Sequence, residues 1–274
     1  MISKTKHNHL SYSQINTFLN CPHKYQLIYI DKIKLNSDSI EAYMGKVVHE
    51  VLEWMYNKRT NYYIWDSIED KYKELWKKKW HSRIYIASIR KQYDKDYFMK
   101  LGLECLRNYY RNNSGPNIST KDIIGNEIIV NTKIGKYTFK GIIDRLDENE
   151  EYIEIHDYKT GKANTKHMMK KDMQLVIYLL AIKNRYPNKK IALNWHFLKK
   201  KNKETQHIRI ILNQEDILEI KKEILYHADN IKLAKEKNNF PPNESFLCNW
   251  CYLWENCKAK KIYNESNPSV NANR

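Results

Sequence analysis

The sequence predicts an α/β protein in which a small mixed β-sheet is flanked by helices and carries a helical insertion. Three observations predict it. The apolar period changes along the chain from helical, about 3.6 residues, to two and back again. Only seven glycines and six prolines punctuate 274 residues, and no internal repeat or Gly/Ser linker separates independent units. With 42% hydrophobic and 29% charged residues the chain can bury one substantial core, which excludes wholly disordered, collagen-like and low-complexity classes.

Each element follows from its residues. Ser11 and Ser13 offer N-cap oxygens to a helix over residues 11–30, with Ile15, Phe18, Leu19, Tyr25 and Ile28 as apolar positions around Cys21-Pro22. A second helix starts near Ile40. Its stripe is Met44, Val47, Val48, Val51, Leu52 and Met55, and His49 and Glu53 share a face as an i,i+4 pair. Residues 54–111 stay helical but turn aromatic and basic, with Trp76, Trp80, Tyr85, Tyr93 and Tyr97 among the lysines from Lys71 to Lys100. This stretch reads as an insertion within one domain spanning 1–274. Its rings could pack the helical layer or line a channel for a nucleic-acid strand, and the residues alone favour neither. Residues 112–117, with Ser114, Gly115 and Pro116, end it.

The period then becomes two. Strands are expected at Ile128–Val130, Tyr137–Asp144 and Tyr152–Tyr158, joined by hairpins at Ile134-Gly135-Lys136 and across Asp147–Glu150. A helix over Asp172–Arg185 follows, then strands at Ile191–Leu198 and His207–Leu212. The lysine-rich turn between them, Lys199–Lys203, reads as a solvated loop. A long helix from Asn213 to Lys237 buries Ile217, Ile220, Ile224 and Ile231, and residues 240–260 form a cysteine-bearing segment. The order of helices, strands, helix, strands and helix gives the flanked mixed sheet.

Lys and Arg number 48 against 32 Asp and Glu, a formal charge of +16 that favours a polyanionic partner such as nucleic acid or an anionic membrane surface. An AT-rich coding sequence would also enrich Lys, Asn, Ile and Tyr, so the motifs must decide. No apolar run approaches the ~18 to 20 residues of a membrane span, and the first residues lack a secretory signal's apolar stretch. A soluble, intracellular protein is expected. Its five cysteines should then be reduced or metal-bound rather than paired in disulfides.

Two segments carry chemistry. Gly141-Ile-Ile-Asp144-Arg-Leu-Asp147 is followed by Ile153-Glu-Ile-His-Asp157-Tyr158-Lys159-Thr-Gly161. On a strand, Asp157 and Lys159 point the same way as Ile153 and Ile155. Asp144 on the adjoining strand of the hairpin can reach both. Two converging carboxylates repel unless a cation lies between them, and such oxygen-rich sites suit Mg²⁺ or Mn²⁺. That ion could activate water against a phosphodiester, with Lys159 stabilising the developing charge or orienting the water. An isolated D-x-K is commonly an ordinary charged strand end. Here Gln174 and Tyr178 follow at i and i+4 on one helix face, and His49 is a neutral imidazole candidate for the same ion.

Cys248-x2-Cys251-x5-Cys257 lies after Phe240-Pro241-Pro242, and Cys21 lies more than 200 residues earlier. Clustered thiols with a remote fourth make a Cys₄ site that Zn²⁺ or a [4Fe-4S] cluster would accept. Either would join the two ends of the chain. Cys105 reads as a buried helix residue.

These residues resemble the RecB-type branch of the PD-(D/E)XK nucleases in its iron-staple form. The matching features are Ser11-Tyr-Ser13 leading to Cys21-Pro22-x2-Tyr25, Gly45-x3-His49-x2-Leu52-Glu53, Gly141-x2-Asp144-Arg145-x-Asp147, Asp157-Tyr158-Lys159-Thr160-Gly161, Gln174-x3-Tyr178 and the terminal cysteines. They span residues 11–257 in the family's order. The resemblance implies a restriction-endonuclease-like core and a metal-dependent DNA nuclease. His49, Asp144, Asp157 and the Tyr158 carbonyl would bind the metal, with Lys159 as catalytic lysine. Gln174 and Tyr178 match the motif that positions DNA or water. Cys21, Cys248, Cys251 and Cys257 match the thiolates of a [4Fe-4S] cluster that stabilises fold and DNA binding. Ile143 departs from the pattern by replacing its proline.

No G-x-x-x-x-G-K-[S/T] occurs, since the Gly-Lys pairs at Gly45, Gly135 and Gly161 are followed by Val47, Tyr137 and Ala163. The resemblance is therefore to stand-alone members, including CRISPR-associated and viral or plasmid exonucleases. It implies action on single-stranded or frayed DNA ends, with a helicase or another recombination, replication or CRISPR protein as a partner. The alternatives are a structure-specific endonuclease and a non-catalytic DNA-binding adaptor with a structural Cys₄ site.

Overall fold

In the computed structural model, which describes residues 9–33, 38–57, 64–87, 93–113, 122–253 and 256–259, five strands form one mixed sheet between two helical layers. Helix α1 (Tyr12–Asn20) is capped by Ser11, whose Oγ accepts the Gln14 N–H, rather than by Ser13. The single helix expected over 11–30 is three pieces. Proline disfavours helical geometry at the residue before it, and Cys21 is extended (φ −163°) and caps a new turn, α2 (Pro22–Tyr25), which runs into a π-helical turn at Gln26–Ile30.

Helices α3 (Ile40–Asn57), α4 (Trp65–Lys79) and α5 (Lys95–Asn112) form one layer. The helical reading of residues 54–111 fails between α4 and α5. There Ile84, Tyr85 and Ile86, residues suited to extended backbone, run beside the start of α3, with Tyr85 N donating to Asp38 O and Ile40 N to Tyr85 O. Helix α3 passes through Trp54 without a break, and Tyr56, Tyr72, Trp76, Phe98 and Tyr109 share one buried cluster with Val47 and Val51. Those rings pack the layer; Trp80 lies partly exposed against Trp76, beneath the Lys95 ammonium. Cys105 is fully buried in α5, as expected. The break expected at Ser114-Gly115-Pro116 lies outside the described residues.

The strands are β1 (Ile123–Ile134), β2 (Tyr137–Glu148), β3 (Tyr152–Lys159), β4 (Lys190–Phe197) and β5 (His207–Ile210), arranged in that order. Gly135, at φ +57°, makes the β1–β2 turn in a conformation that costs glycine little, and sets Ile134 opposite Tyr137. Pairing is antiparallel except between β3 and β4, which are parallel. The crossover carries a short turn, α6 (Lys166–Met169), and α7 (Met173–Lys183), capped by Asp172. Another short turn, α8 (Lys203–Gln206), stands in the lysine-rich connection before β5. Helix α9 (Gln214–Glu236) buries Ile217, Ile220, Ile224 and Ile231 as its period predicts, and a 3₁₀ turn at Phe246–Trp250 carries the first clustered cysteine.

The sheet divides two cores. Phe139, Ile143, Ile153, Ile155, Leu193 and Trp195 pack with α7 and α9, whereas Tyr158 and Leu198 join the cluster of α3, α4 and α5. Strand β4 is buried at every position after Lys190, as a strand covered on both faces should be. Among the described residues no helix is long and apolar enough to cross a membrane.

Candidate active site

The site opens where β2 and β3 part. Their ladder covers only Arg145–Glu148 against Ile153–His156, so Asp144 and Asp157 are the first residues beyond it. A buried backbone N–H freed from a ladder needs another acceptor. The Tyr158 N–H finds Asp144 Oδ2 at 2.7 Å. The edge of β2 released by this splay is taken by the N-terminal segment, with Leu10 N donating to Thr138 O at 2.9 Å and Lys140 N to Leu10 O at 2.8 Å.

Strand alternation sends Asp157 and Lys159 to the side of Ile153 and Ile155, where α7 lies. Lys159 Nζ sits 2.7 Å from Asp157 Oδ2 and donates to Gln174 Oε1 at 2.8 Å. Gln174 Nε2 in turn donates to the Tyr178 hydroxyl at 2.9 Å. The i,i+4 spacing on α7 thus becomes a chain from phenol to amide to ammonium to carboxylate. Asp172 fixes the start of α7 by accepting the Gln174 N–H at 2.8 Å and the Trp195 indole N–H at 3.0 Å. Gly141 lets the Tyr178 ring lie against β2, since a Cβ there would stand 2.3 Å from Tyr178 Cε1.

His49, from α3, brings Nδ1 to 3.4 Å from Asp144 Oδ1. Glu127 joins them: ligand atoms of His49, Glu127 and Asp144 all lie within 4.8 Å of one another, the one such group of three among the described residues. The geometry here differs from the expected set. Asp157 lies outside that close group, paired with Lys159, and Glu127, which sequence reasoning missed, lies inside it. A signal for Glu127 was present. Counting outward from Ile134 opposite Tyr137 places Glu127 opposite Asp144, between the pairs Asn126–Arg145 and Ile128–Ile143. Glu127 also holds φ +49°, a left-handed conformation that non-glycine residues adopt at a cost. The trio lines a cavity of about 600 Å³ with Lys46, Lys79 and Thr160.

Burial and the pairing of the two carboxylates with His49 and Lys159 set the electrostatics of the site. Burial pushes Asp157 up to about 7, with Asp144 adding to the rise and Lys159 opposing it. Burial also raises Asp144, but His49, the Tyr158 N–H and Lys159 outweigh it and hold that carboxyl below its usual range. His49 is opposed by burial yet reaches about 9 through the charge and hydrogen bond of Asp144. Lys159 is likewise opposed by burial and raised by Asp157 and Asp172, so it stays an ammonium.

On the other side of β3, Arg145 donates to the hydroxyls of Tyr109 and Tyr158, both at 2.9 Å, and meets Asp147 at 3.0 Å. His156 Nδ1 lies 2.9 Å from His196 Nε2, and His196 stacks on His207. This buried network holds Tyr158, and with it the backbone between Asp157 and Lys159.

The cysteines also converge. Cys21, Cys248, Cys251 and Cys257 line one cavity of about 270 Å³ at the junction of α1–α2 with the C-terminal segment. Lys24 N and Asn243 N each donate to Cys21 Sγ at 3.4 Å, and Ser245 N to Cys248 Sγ at 3.5 Å. His23 N donates to Pro241 O at 3.2 Å and Lys258 N to His23 Nε2 at 3.3 Å. Burial raises the thiols of Cys251 and Cys257.

Residues 9–258 match the family model of the PD-(D/E)XK nuclease superfamily. The chain belongs to the PD-(D/E)XK nuclease superfamily. Its five-stranded mixed sheet flanked by helices is the expected restriction-endonuclease-like core, and Asp157-Tyr158-Lys159 supplies a D-x-K. Among solved structures, a candidate exonuclease from Eubacterium rectale is 12% identical, with 96% of this chain and 92% of that one covered and a TM-score of 0.48. The protein SSO0001 is 17% identical over 80% of this chain and 96% of its own, with a TM-score of 0.30. No curated protein is significantly similar to this PD-(D/E)XK chain.

Proposed function

We propose that this PD-(D/E)XK protein is a divalent-metal-dependent deoxyribonuclease that hydrolyses phosphodiester bonds at single-stranded or frayed DNA ends. The observation that carries the reading is Lys159, held by Asp157 and Gln174 beside an acidic pair that also faces His49. His49, Glu127, Asp144, Asp157 and the Tyr158 carbonyl would hold Mg²⁺ or Mn²⁺, a donor set suited to a hard cation that keeps some of its waters. Such an ion supplies Lewis acidity and a bound water of lowered pKa. The chain's own groups do the rest. The Lys159 ammonium neutralises charge on the reacting phosphate or orients the attacking water, Asp157 aims it, and Gln174 couples it to Tyr178. The formal charge of +16 supports a DNA substrate.

We further propose that Cys21, Cys248, Cys251 and Cys257 hold a [4Fe-4S] cluster. Four thiols on one cavity, two of the sulfurs accepting backbone N–H donors, are the donor set and hydrogen bonding that such clusters use. The cluster would be structural, joining the N- and C-terminal parts of a single domain.

The test is cleavage of end-labelled linear and of circular single-stranded DNA with Mg²⁺ or Mn²⁺, comparing wild type with Asp157→Ala and Lys159→Ala, beside an anaerobic absorbance spectrum. Digestion confined to linear substrate and lost in both variants, with a broad band near ~400 nm, is expected. DNA binding without cleavage under either metal would favour an adaptor, equal cutting of circles an endonuclease, and a colourless zinc protein a different Cys₄ centre.

A further inference from the structure

A second hollow lies against the active site, on the α7 side of β2. It measures about 370 Å³ and is lined by Tyr12, Ser13, Lys140, Ile142, Gln174 and Tyr178 among others. Ile142, 43% exposed, borders both this hollow and the larger cavity of His49, Glu127 and Asp144. The two therefore flank one strand, and Gln174, in the lining of the hollow, accepts a hydrogen bond from Lys159.

The lining has a particular chemistry. Ile142 and the ring of Tyr178 are apolar surfaces, Ser13 and Tyr12 carry hydroxyls, and Lys140 adds a cation. A nucleobase is a flat apolar face with a polar edge, attached to a phosphate, and the volume sits near the lower end of the roughly 300 to 1,000 Å³ of ligand sites. That is ample room for a base. The wall carrying Tyr12 exists because Leu10 pairs with β2, which places the first turn of α1 over the gap the strands leave. Gln14 and Ser11, also in that wall, are spent on Tyr25, the His9 carbonyl and the α1 cap. Among the described residues no hydrogen-bond partner is found for the Tyr12 hydroxyl. Tyr12 also senses the charges of Asp172, Lys159 and Asp157, and burial, the largest effect, raises its pKa and keeps the phenol a donor.

We propose that this hollow seats the base of one DNA nucleotide beside the scissile phosphate, and that Tyr12 is a substrate-contacting residue that recognises it. The inference rests on the nuclease reading and adds to it a subsite for the terminal unit of the strand, across Ile142 from the cavity of the metal-ligand cluster.

The test measures binding without chemistry, so that it can fail independently of catalysis. Full-length protein in EDTA is titrated with single-stranded oligonucleotides carrying a natural or an abasic unit at the 5′ or the 3′ end, using wild type, Tyr12→Ala and Tyr12→Phe. For one end, removing the base and truncating Tyr12 should each weaken binding at least about fivefold, and together no more than either alone. Tyr12→Phe, which retains the ring, should fold like wild type and show a smaller loss coupled to the same end. Independent, multiplicative losses at both ends, or wild-type affinity in Tyr12→Ala and Tyr12→Phe, would overturn the subsite even if the protein cleaves DNA. Coupled losses in a protein that cuts no DNA with Mg²⁺ or Mn²⁺ would uphold the subsite and remove the nuclease reading.

Discussion

At Glu127 a single residue combines an unfavourable backbone with a place among candidate metal ligands. The left-handed φ persists only if something compensates it, and a cation between Glu127, Asp144 and His49 would do so. Replacing Glu127 with Gln should weaken Mn²⁺ binding at least about tenfold, read by isothermal titration, and leave thermal stability without metal unchanged or higher; unchanged affinity would remove Glu127 from the ligand set. Gly141 is a second point where one atom matters. A methyl group there would stand 2.3 Å from the Tyr178 ring, which must then leave β2, and overpacking of this kind costs roughly 1 to 3 kcal/mol. Gly141→Ala should lower the melting temperature and, by tilting Tyr178 and Gln174 away from Lys159, reduce cleavage more than tenfold. A variant with normal kinetics would show that the Gln174–Tyr178 bond is dispensable. Lys159, Asp157 and Gln174 could be named from their spacing, because alternation on a strand and i,i+4 on a helix are local rules. Glu127 needed the register of a hairpin, and Tyr12 needed a contact between segments more than 100 residues apart.

At the scale of elements, the parting of β2 and β3 creates the site, and the buried network on the other face of β3 supports it. His156 and His196 have pKa values well below the ordinary 6.5, first through burial, then through Arg145 and their histidine neighbours. They are neutral when folded and take up protons when unfolded. Their contribution is therefore complete above about pH 6.5 and is lost as the pH falls below it, by up to about 1.4 kcal/mol per pH unit for each histidine. Denaturant unfolding at pH 7.5 and 5.0 should show that loss, and His196→Gln should flatten the profile; an unchanged slope in the variant would place the acid sensitivity elsewhere. The helical reading of residues 54–111 went wrong at this scale. Local periodicity cannot see that Ile84–Ile86 will find backbone partners beside α3, nor that Pro22 ends α1 at a cysteine whose sulfur faces the other end of the chain.

At the scale of the whole molecule, the chain returns at residues 240–259 to the helices where it began, and four cysteines meet there. If they hold a [4Fe-4S] cluster, Cys251→Ala should lose the ~400 nm absorbance and lower the melting temperature before it slows cleavage at low temperature. Equal stability of the two proteins would assign the convergence to packing alone. The sequence by itself determined the α/β class, the long helices and most strand positions, the D-x-K with its Gln-Tyr partner and the four-cysteine pattern. These depend on periodicity and short spacings, which survive without knowledge of the fold. Tertiary structure decided which carboxylates sit together, which aromatic residues are core, and that the segment before α1 walls a hollow beside Lys159. Those outcomes depend on strand register and on contacts between distant segments, where a shift of one residue sends a side chain to the opposite face of the sheet.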